Sequence, residues 1–195
     1  MARKAGFGLV AGVDEAGRGP LAGPVVAAAV IVPEGVALRG VRDSKQMHPR
    51  AREEAFCLIS EAALSIGIGV VSNRFIDEFD ILRASLEAMR QAVSFLDRRP
   101  DFVLVDGIQA IPISLPQKCL KRGDQLSLSI SAASIIAKVY RDRIMDAFHD
   151  RFPEYGFRTN KGYGTPGHLD ALRRHGPTPI HRKTFKGVCQ GCPAP

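Results

Sequence analysis

One stretch constrains the fold more than any other. Residues 25–32 form an unbroken apolar run of Val, Ala and Ile, closed off by Pro24 and Pro33. A run of that length without polar interruption reads as a strand buried on both faces. A shorter apolar run, residues 9–13, precedes it and stops at Asp14-Glu15, after which Gly17, Gly19, Pro20 and Gly23 break the pattern. The connection is too short for a crossover helix, so the two strands are expected to pair antiparallel.

The rest of the chain alternates helical and strand patterns. Pro49 suits a first helical position, and the Ala- and Glu-rich stretch to about Leu64 predicts a helix. Residues 66–71 predict a third strand, with Asn73 as the cap of the next helix. Phe75, Phe79, Leu82, Leu86, Met89, Val93 and Leu96 recur at helical spacing, as one long amphipathic helix or two short ones in series. Residues 102–105 predict a strand stopped by Asp106-Gly107, and residues 111–115 an edge strand between Pro112 and Pro116. Residues 131–149 predict a helix with Ile136, Tyr140, Ile144 and Phe148 on one face and Ser134, Lys138 and Arg141 on another. Thr165-Pro166 and Gly176 bracket a short C-terminal helix. The pattern suits one α/β domain over residues 1–186, a mixed sheet with a helical C-terminal extension from about residue 150, and a flexible tail over 187–195.

Composition removes several classes. With 195 residues, 45% hydrophobic and 24% charged, the chain is not wholly disordered. Its longest apolar run is far shorter than the ~18 residues of a membrane span. Asp14, Glu15 and Arg18 stand in front of that run, which is no signal-peptide layout, so the expected location is the cytoplasm. Four Cys do not make a disulfide scaffold, and Cys57 and Cys119 read as reduced thiols. Cys189-Gln190-Gly191-Cys192 is a lone C-x-x-C without the second pair that a zinc site needs.

Charge points to a polyanion. The net charge is +7. Residues 158–186 carry seven Lys/Arg (Arg158, Lys161, Arg173, Arg174, Arg182, Lys183, Lys186) against one acid, Asp170. The acids stand elsewhere: Asp14 and Glu15 at the end of the first strand, Asp106 at the end of the fourth, and Asp124 ahead of the 131–149 helix. Carboxylates at neighbouring strand ends can converge, and an all-oxygen cluster suits Mg²⁺ or Mn²⁺. Taken singly, each reads better as a strand-end turn residue or a helix cap; the basic excess elsewhere in the chain favours the metal reading. Side chains alternate along a strand, so Asp14 and Glu15 are expected to share a site only where the backbone turns or bulges.

Gly17-Arg18-Gly19 lets backbone N–H groups approach a ligand closely. It also matches the loose dinucleotide fingerprint, but a strand comes after it where that fingerprint needs a helix. Lys161-Gly162-Tyr163-Gly164-Thr165 sets an aromatic among glycines in the basic segment, where it either stacks on a nucleotide or packs in a turn. On residues alone three readings stand: a metal-dependent nuclease, a non-catalytic basic nucleic-acid-binding module, and a dinucleotide-dependent enzyme.

Together the motifs resemble a known family. Val13-Asp14-Glu15-Ala16-Gly17-Arg18-Gly19-Pro20-Leu21-Ala22-Gly23-Pro24 is similar to the opening motif of the ribonuclease HII family. Asp43-Ser44-Lys45, Val105-Asp106-Gly107, the run 131–142 and Lys161-Gly162-Tyr163-Gly164-Thr165 come next, in that family's order. The resemblance implies a ribonuclease H-like fold with a five-stranded mixed sheet. It implies hydrolysis of RNA in RNA–DNA hybrids, and nicking 5′ of single ribonucleotides in duplex DNA to leave a 3′-hydroxyl and a 5′-phosphate. By motif, Asp14, Glu15, Asp106 and Asp124 would be catalytic and would bind two Mn²⁺ or Mg²⁺ ions. Gly17, Arg18 and Gly19 would contact the 2′-hydroxyl and flanking phosphates, Tyr163 would stack on the next deoxyribose, and Lys45 and Lys138 would meet phosphates. No obligate protein partner is implied, and a monomer is expected.

Overall fold

The computed structural model describes residues 6–36, 38, 41 and 47–189, and it lays the two apolar runs side by side. Strand β1 (Val10–Ala16) pairs antiparallel with β2 (Val25–Ile31), all seven of whose residues are buried. β3 (Ser65–Val71) continues the meander antiparallel to β2, while β4 (Phe102–Asp106) and β5 (Gln117–Leu120) run parallel on the other side of β1. The order is β3-β2-β1-β4-β5, a five-stranded mixed sheet.

Two expectations about strands are corrected. β1 does not end at Val13: Asp14, Glu15 and Ala16 stay in ladder register with Ala28, Ala27 and Val26, and the turn begins only at Gly17. The acid pair therefore sits inside a regular strand, with no bulge. The fifth strand is not residues 111–115, where Pro112 and Pro116 each remove a ladder donor. It starts after them at Gln117, whose side chain accepts from the N–H of Ile111 and donates to its carbonyl, both at 2.8 Å, tying the proline loop down.

Helices cover both faces. α1 is Pro49–Ala62, and the Phe75-to-Leu96 stripe divides into α2 (Asn73–Glu78) and α3 (Ile81–Ser94). The cap of α2 is Ser72, not Asn73, and its hydroxyl accepts from the N–H of Phe75. α3 buries Ala84, Ala88 and Ala92 against Val13, Ala27, Ala29, Val103 and Val105. After the short α4 (Gly123–Leu126), α5 (Leu128–Arg151) lies across the opposite face, packing Ala132, Ile136 and Val139 on Ala28 and Val30. The expected two-faced pattern of α5 gives way to burial all round from Ile130 to Ala137, while Tyr140 is exposed and Arg141 is buried. This helix approaches β1 closely enough that a Cβ on Gly12 would stand 2.2 Å from the Ser129 carbonyl carbon.

The C-terminal part folds back as a helical extension: α6 (Phe157–Asn160), then α7 (Pro166–His175), capped by Thr165 and ended at Gly176 as its sequence predicts. A third cluster, Ala22, Met145, Tyr155, Phe157, Leu172 and Ile180, packs this extension onto the loop after β1. Val188 is buried; most of the tail expected beyond it lies outside the described residues. Among the described residues no helix is long and apolar enough to cross a membrane.

Candidate active site

The site forms where β1 and β4 end. Register places Asp14 beside Ala28 on the α5 face and Glu15 beside Ala27 on the other. Both carboxyls lie at the same end of the sheet as Asp106, the last residue of β4. Asp14 is buried, and its Oδ1 accepts from the Glu15 N–H at 2.7 Å. Asp106 Oδ1 accepts from the Gly123 N–H at 2.7 Å, so the turn into α4 is moored to β4. Asp124 is the next residue, half-buried in the first turn of α4, on the segment that closes over the strand end.

Burial and then repulsion from Glu15 and Asp106 hold Asp14 well above its ordinary carboxyl value, against the opposing hydrogen bonds of Ser134 and the Glu15 amide. Glu15 is raised first by burial, with Asp106 adding repulsion; Arg18, 3.3 Å from Glu15 Oε1, pulls the other way. The neighbouring acids thus disfavour the charged form of Asp14 and, more weakly, of Glu15. The donor set is all carboxylate oxygen, the chemistry a hard divalent cation takes. Among the described residues no three such side chains already converge as a cage, and Asp14 and Asp106 each turn one oxygen onto a backbone amide.

Beside the acids opens a recess of about 280 Å³, lined by Glu15, Ala16, Gly17, Arg18, Gly19, Ser134, Lys138, Arg141 and Tyr163. That is just below the usual range for enclosing a small molecule, and it suits a surface that meets a polymer one unit at a time. A larger apolar hollow, about 700 Å³, lies at the starts of β1 and β4 under the N-terminus of α5 and holds none of these acids.

The 17–19 loop is tightly held. Gly17 has φ +101°, and a Cβ there would fall 2.1 Å from Arg141 Nε, so only glycine fits. The loop leads into β2, not a helix, which removes the dinucleotide reading. Tyr163 is 46% exposed, and its Cε1 lies 3.6 Å from where a Cβ on Gly19 would stand. Its loop is stitched to the site: Leu21 N–H donates to the Gly162 carbonyl at 2.8 Å. Lys138 lines the recess but donates to Asp142 Oδ1 at 2.6 Å, and burial lowers its pKa. Lys45 lies outside the described residues.

The structure thus groups Asp14, Glu15 and Asp106 by charge, sets Glu15, Gly17, Arg18, Gly19, Lys138 and Tyr163 around one recess, and places Asp124 only as the neighbour of Gly123, which Asp106 holds; it also redraws the basic segment. Lys161 pairs with Asp146, Arg158 with Asp150, and Arg174 with Asp170 at 2.6 Å. Arg182 is wholly buried. It is an internal cation, not part of a solvated face. Sequence reasoning gave no individual role to Arg141, Arg182, His168 or His181; all four are buried, Arg141 in the wall of the recess. Arg141 and Arg182 are placed mainly by carbonyls more than a hundred residues earlier in the chain, which no local pattern can mark. His168 Nδ1 donates to the Tyr163 carbonyl at 2.8 Å, leaving its Nε2 to accept from His181 Nε2 at 3.0 Å. His181 Nδ1 in turn accepts from the Thr178 N–H at 2.9 Å. That chain of bonds needs both rings neutral.

Comparison with known proteins agrees with this geometry. Residues 11–188 match the family model described as Ribonuclease HII. Ribonuclease HII from Geotalea uraniireducens (strain Rf4) is 57% identical over 188 residues, covering 96% of this chain and 87% of that protein. Ribonuclease HII from Geobacter metallireducens is 57% identical over 183 residues, 94% of this chain and 86% of that protein. The crystal structure of the ribonuclease H2 from Pyrococcus horikoshii OT3 superposes with TM-score 0.81 at 29% identity, over 92% of this chain and 95% of that one.

Proposed function

The chain belongs to the ribonuclease HII family and is a ribonuclease H-type nuclease, and we propose that it hydrolyses the RNA strand of RNA–DNA hybrids and nicks duplex DNA 5′ of single ribonucleotides. The observation that carries this reading is Glu15, which lines one recess with the 17–19 loop and Tyr163 and interacts by charge with Asp14 and Asp106 at the same strand ends.

Asp14, Glu15, Asp106 and Asp124 would hold two Mn²⁺ or Mg²⁺ ions. Such ions supply activation of water and stabilisation of the leaving 3′-oxygen, giving a 3′-hydroxyl and a 5′-phosphate. The protein's own part is position. Amide hydrogen bonds at 2.7 Å hold one oxygen each of Asp14 and Asp106, fixing where these two side chains stand. Amides of Gly17, Arg18 and Gly19 contact the 2′-hydroxyl, the group that marks a ribonucleotide within DNA, and the phosphates beside it. Tyr163 lays its exposed ring on the next deoxyribose. Lys138 meets a phosphate while sharing its remaining donors with Asp142. Lys45 is proposed as a second phosphate contact on motif alone. Action as a monomer is part of this proposal.

The test is cleavage of end-labelled RNA in an RNA–DNA hybrid, with Mn²⁺ or Mg²⁺ against chelator, and with single-stranded RNA and duplex DNA as controls. Metal-dependent cutting of the hybrid alone is expected. Tight binding without cleavage, with log K falling by about 0.9 per phosphate contacted for each decade of salt, would replace the nuclease with a basic binding module.

A further inference from the structure

Arg182 and Arg141 are buried cations that donate their hydrogen bonds to backbone carbonyls. Arg182 Nε donates to the Gly23 carbonyl at 3.0 Å, Nη1 to those of Arg18 at 2.9 Å and Pro20 at 2.7 Å, and Nη2 to that of Gly17 at 2.6 Å. Arg141 donates to the carbonyls of Pro24, Ala22 and Lys161 at 3.0–3.1 Å. Burying a guanidinium on dipoles is unfavourable: burial first, and then the charge of Arg141, pull the Arg182 pKa down to about 9. A fold that holds a cation so needs it for something that neutral packing does not supply.

The peptide plane says what. In a trans peptide the carbonyl of one residue and the N–H of the next point in opposite directions. With the Gly17 and Arg18 carbonyls drawn onto Arg182, the N–H groups of Arg18 and Gly19 are turned away from it, while Tyr163 stands beside Gly19. The positive charge behind the loop also reinforces the pull of those amides on an oxygen in front of it. Arg182 itself is seated by Asp77, whose carboxylate accepts from the N–H groups of Lys183 and Thr184, each at 3.0 Å.

We propose that Arg182 is a positioning residue for ribonucleotide recognition: its buried guanidinium fan fixes the carbonyls of Gly17 and Arg18 inward and so aims the Arg18 and Gly19 amides at the 2′-hydroxyl. This rests on the assignment of the 17–19 loop as the ribonucleotide reader. The fan matters as well as the charge, because lysine carries the charge on a compact head and cannot reach carbonyls spread from Gly17 to Gly23.

The experiment measures, by fluorescence anisotropy without divalent ion, the affinity for a DNA duplex with one ribonucleotide relative to the same duplex in DNA alone. Loss of folded protein lowers both affinities equally and leaves their ratio unchanged, so the ratio separates positioning from mere stability. The wild type is expected to prefer the ribonucleotide duplex. Arg182→Lys and Arg182→Gln are both expected to lower that preference about tenfold. A ratio within twofold of wild type in either folded variant overturns the proposal; in Arg182→Lys it would show that charge without the fan suffices. If the Arg182 variants do not fold, Asp77→Asn, which loosens the seat, is expected to lower the ratio about threefold, and an unchanged ratio overturns the proposal there. A wild type with no ribonucleotide preference overturns the loop assignment itself, a different failure from an unchanged variant.

Discussion

Asp14→Asn exposes the conflict built into the site. The wild-type carboxylate is buried and faces two like charges, Glu15 and Asp106, so its ionised form is disfavoured in the folded state. Burying an ion carries an effective penalty of several kcal/mol. Hydrogen bonds to a charged group return about 1.5–3 kcal/mol each, and Asp14 has one from the Glu15 amide and one involving Ser134. Asparagine keeps the shape and an acceptor for the Glu15 amide while removing the charge. The balance predicts that the variant is more stable than wild type by about 2 kcal/mol at pH 8 in chelator, or roughly 4–8 °C in Tm for a chain of this size. The pH dependence has a definite sign. The folded-state pKa of Asp14 is raised above the unfolded value of 3.8, so the wild type loses stability as pH rises from that value up to the folded pKa. The variant's advantage therefore grows over that window, is full above it, and vanishes below the unfolded pKa. Added Mn²⁺ should stabilise wild type and not the variant, reversing the order, and cleavage should fall at least about 10³-fold, the ~4 kcal/mol expected of a lost electrostatic contact to the reacting group. Differential scanning fluorimetry across pH, with and without Mn²⁺, reads all of this but the cleavage rate. A variant less stable than wild type at pH 8 in chelator, or one that still cleaves, would refute the reasoning.

The same geometry sets the remaining expectations. Tyr163→Ala should leave Tm nearly unchanged, since the ring is 46% exposed, and weaken cleavage at a single ribonucleotide about tenfold, the ~1–3 kcal/mol range of aromatic stacking on a nucleotide; an unchanged rate would remove Tyr163 from the site. Burial and the neighbouring His168 pull His181 from 6.5 down to about 4, so the unfolded chain takes up the proton first. The neutral pair's contribution, on the order of 3 kcal/mol at most, is full above pH 6.5 and is lost as pH falls towards the folded value. Urea unfolding from pH 7.5 to 4.5 should show that loss in wild type and a shallower slope in His181→Gln; parallel slopes would contradict it. Gly12→Ala puts a methyl 2.2 Å from the Ser129 backbone and should destabilise by about 2 kcal/mol or more as β1 and α5 are forced apart, with urea unfolding as the check.

Much of the fold was legible because the informative signals are local. The β1–β2 hairpin follows from two apolar runs and a short connection, and α7 from Thr165, Pro166 and Gly176. β5 was not legible: Gln117-Lys118-Cys119-Leu120 is a half-exposed edge strand and carries no apolar period. The end of β1 misled for a physical reason. Asp14-Glu15 resembles a terminator, yet the ladder continues because β2 offers Ala28 and Ala27, small enough to leave room for buried carboxyls. The acids were found through motif resemblance and strand-end placement. Arg182 looked like one more surface cation, since nothing nearby in sequence says that its partners are carbonyls some 160 residues earlier.

The central claim is that one site both recognises a ribonucleotide and cuts beside it. The most direct measurement maps the cut on a DNA duplex carrying a single ribonucleotide in one strand, with Mn²⁺ and with chelator, and identifies both new ends. The account predicts one metal-dependent nick on the 5′ side of the ribonucleotide, leaving a 3′-hydroxyl and a 5′-phosphate. Cutting on the 3′ side, cutting in chelator, or no nick by a preparation that degrades long RNA–DNA hybrids would contradict it.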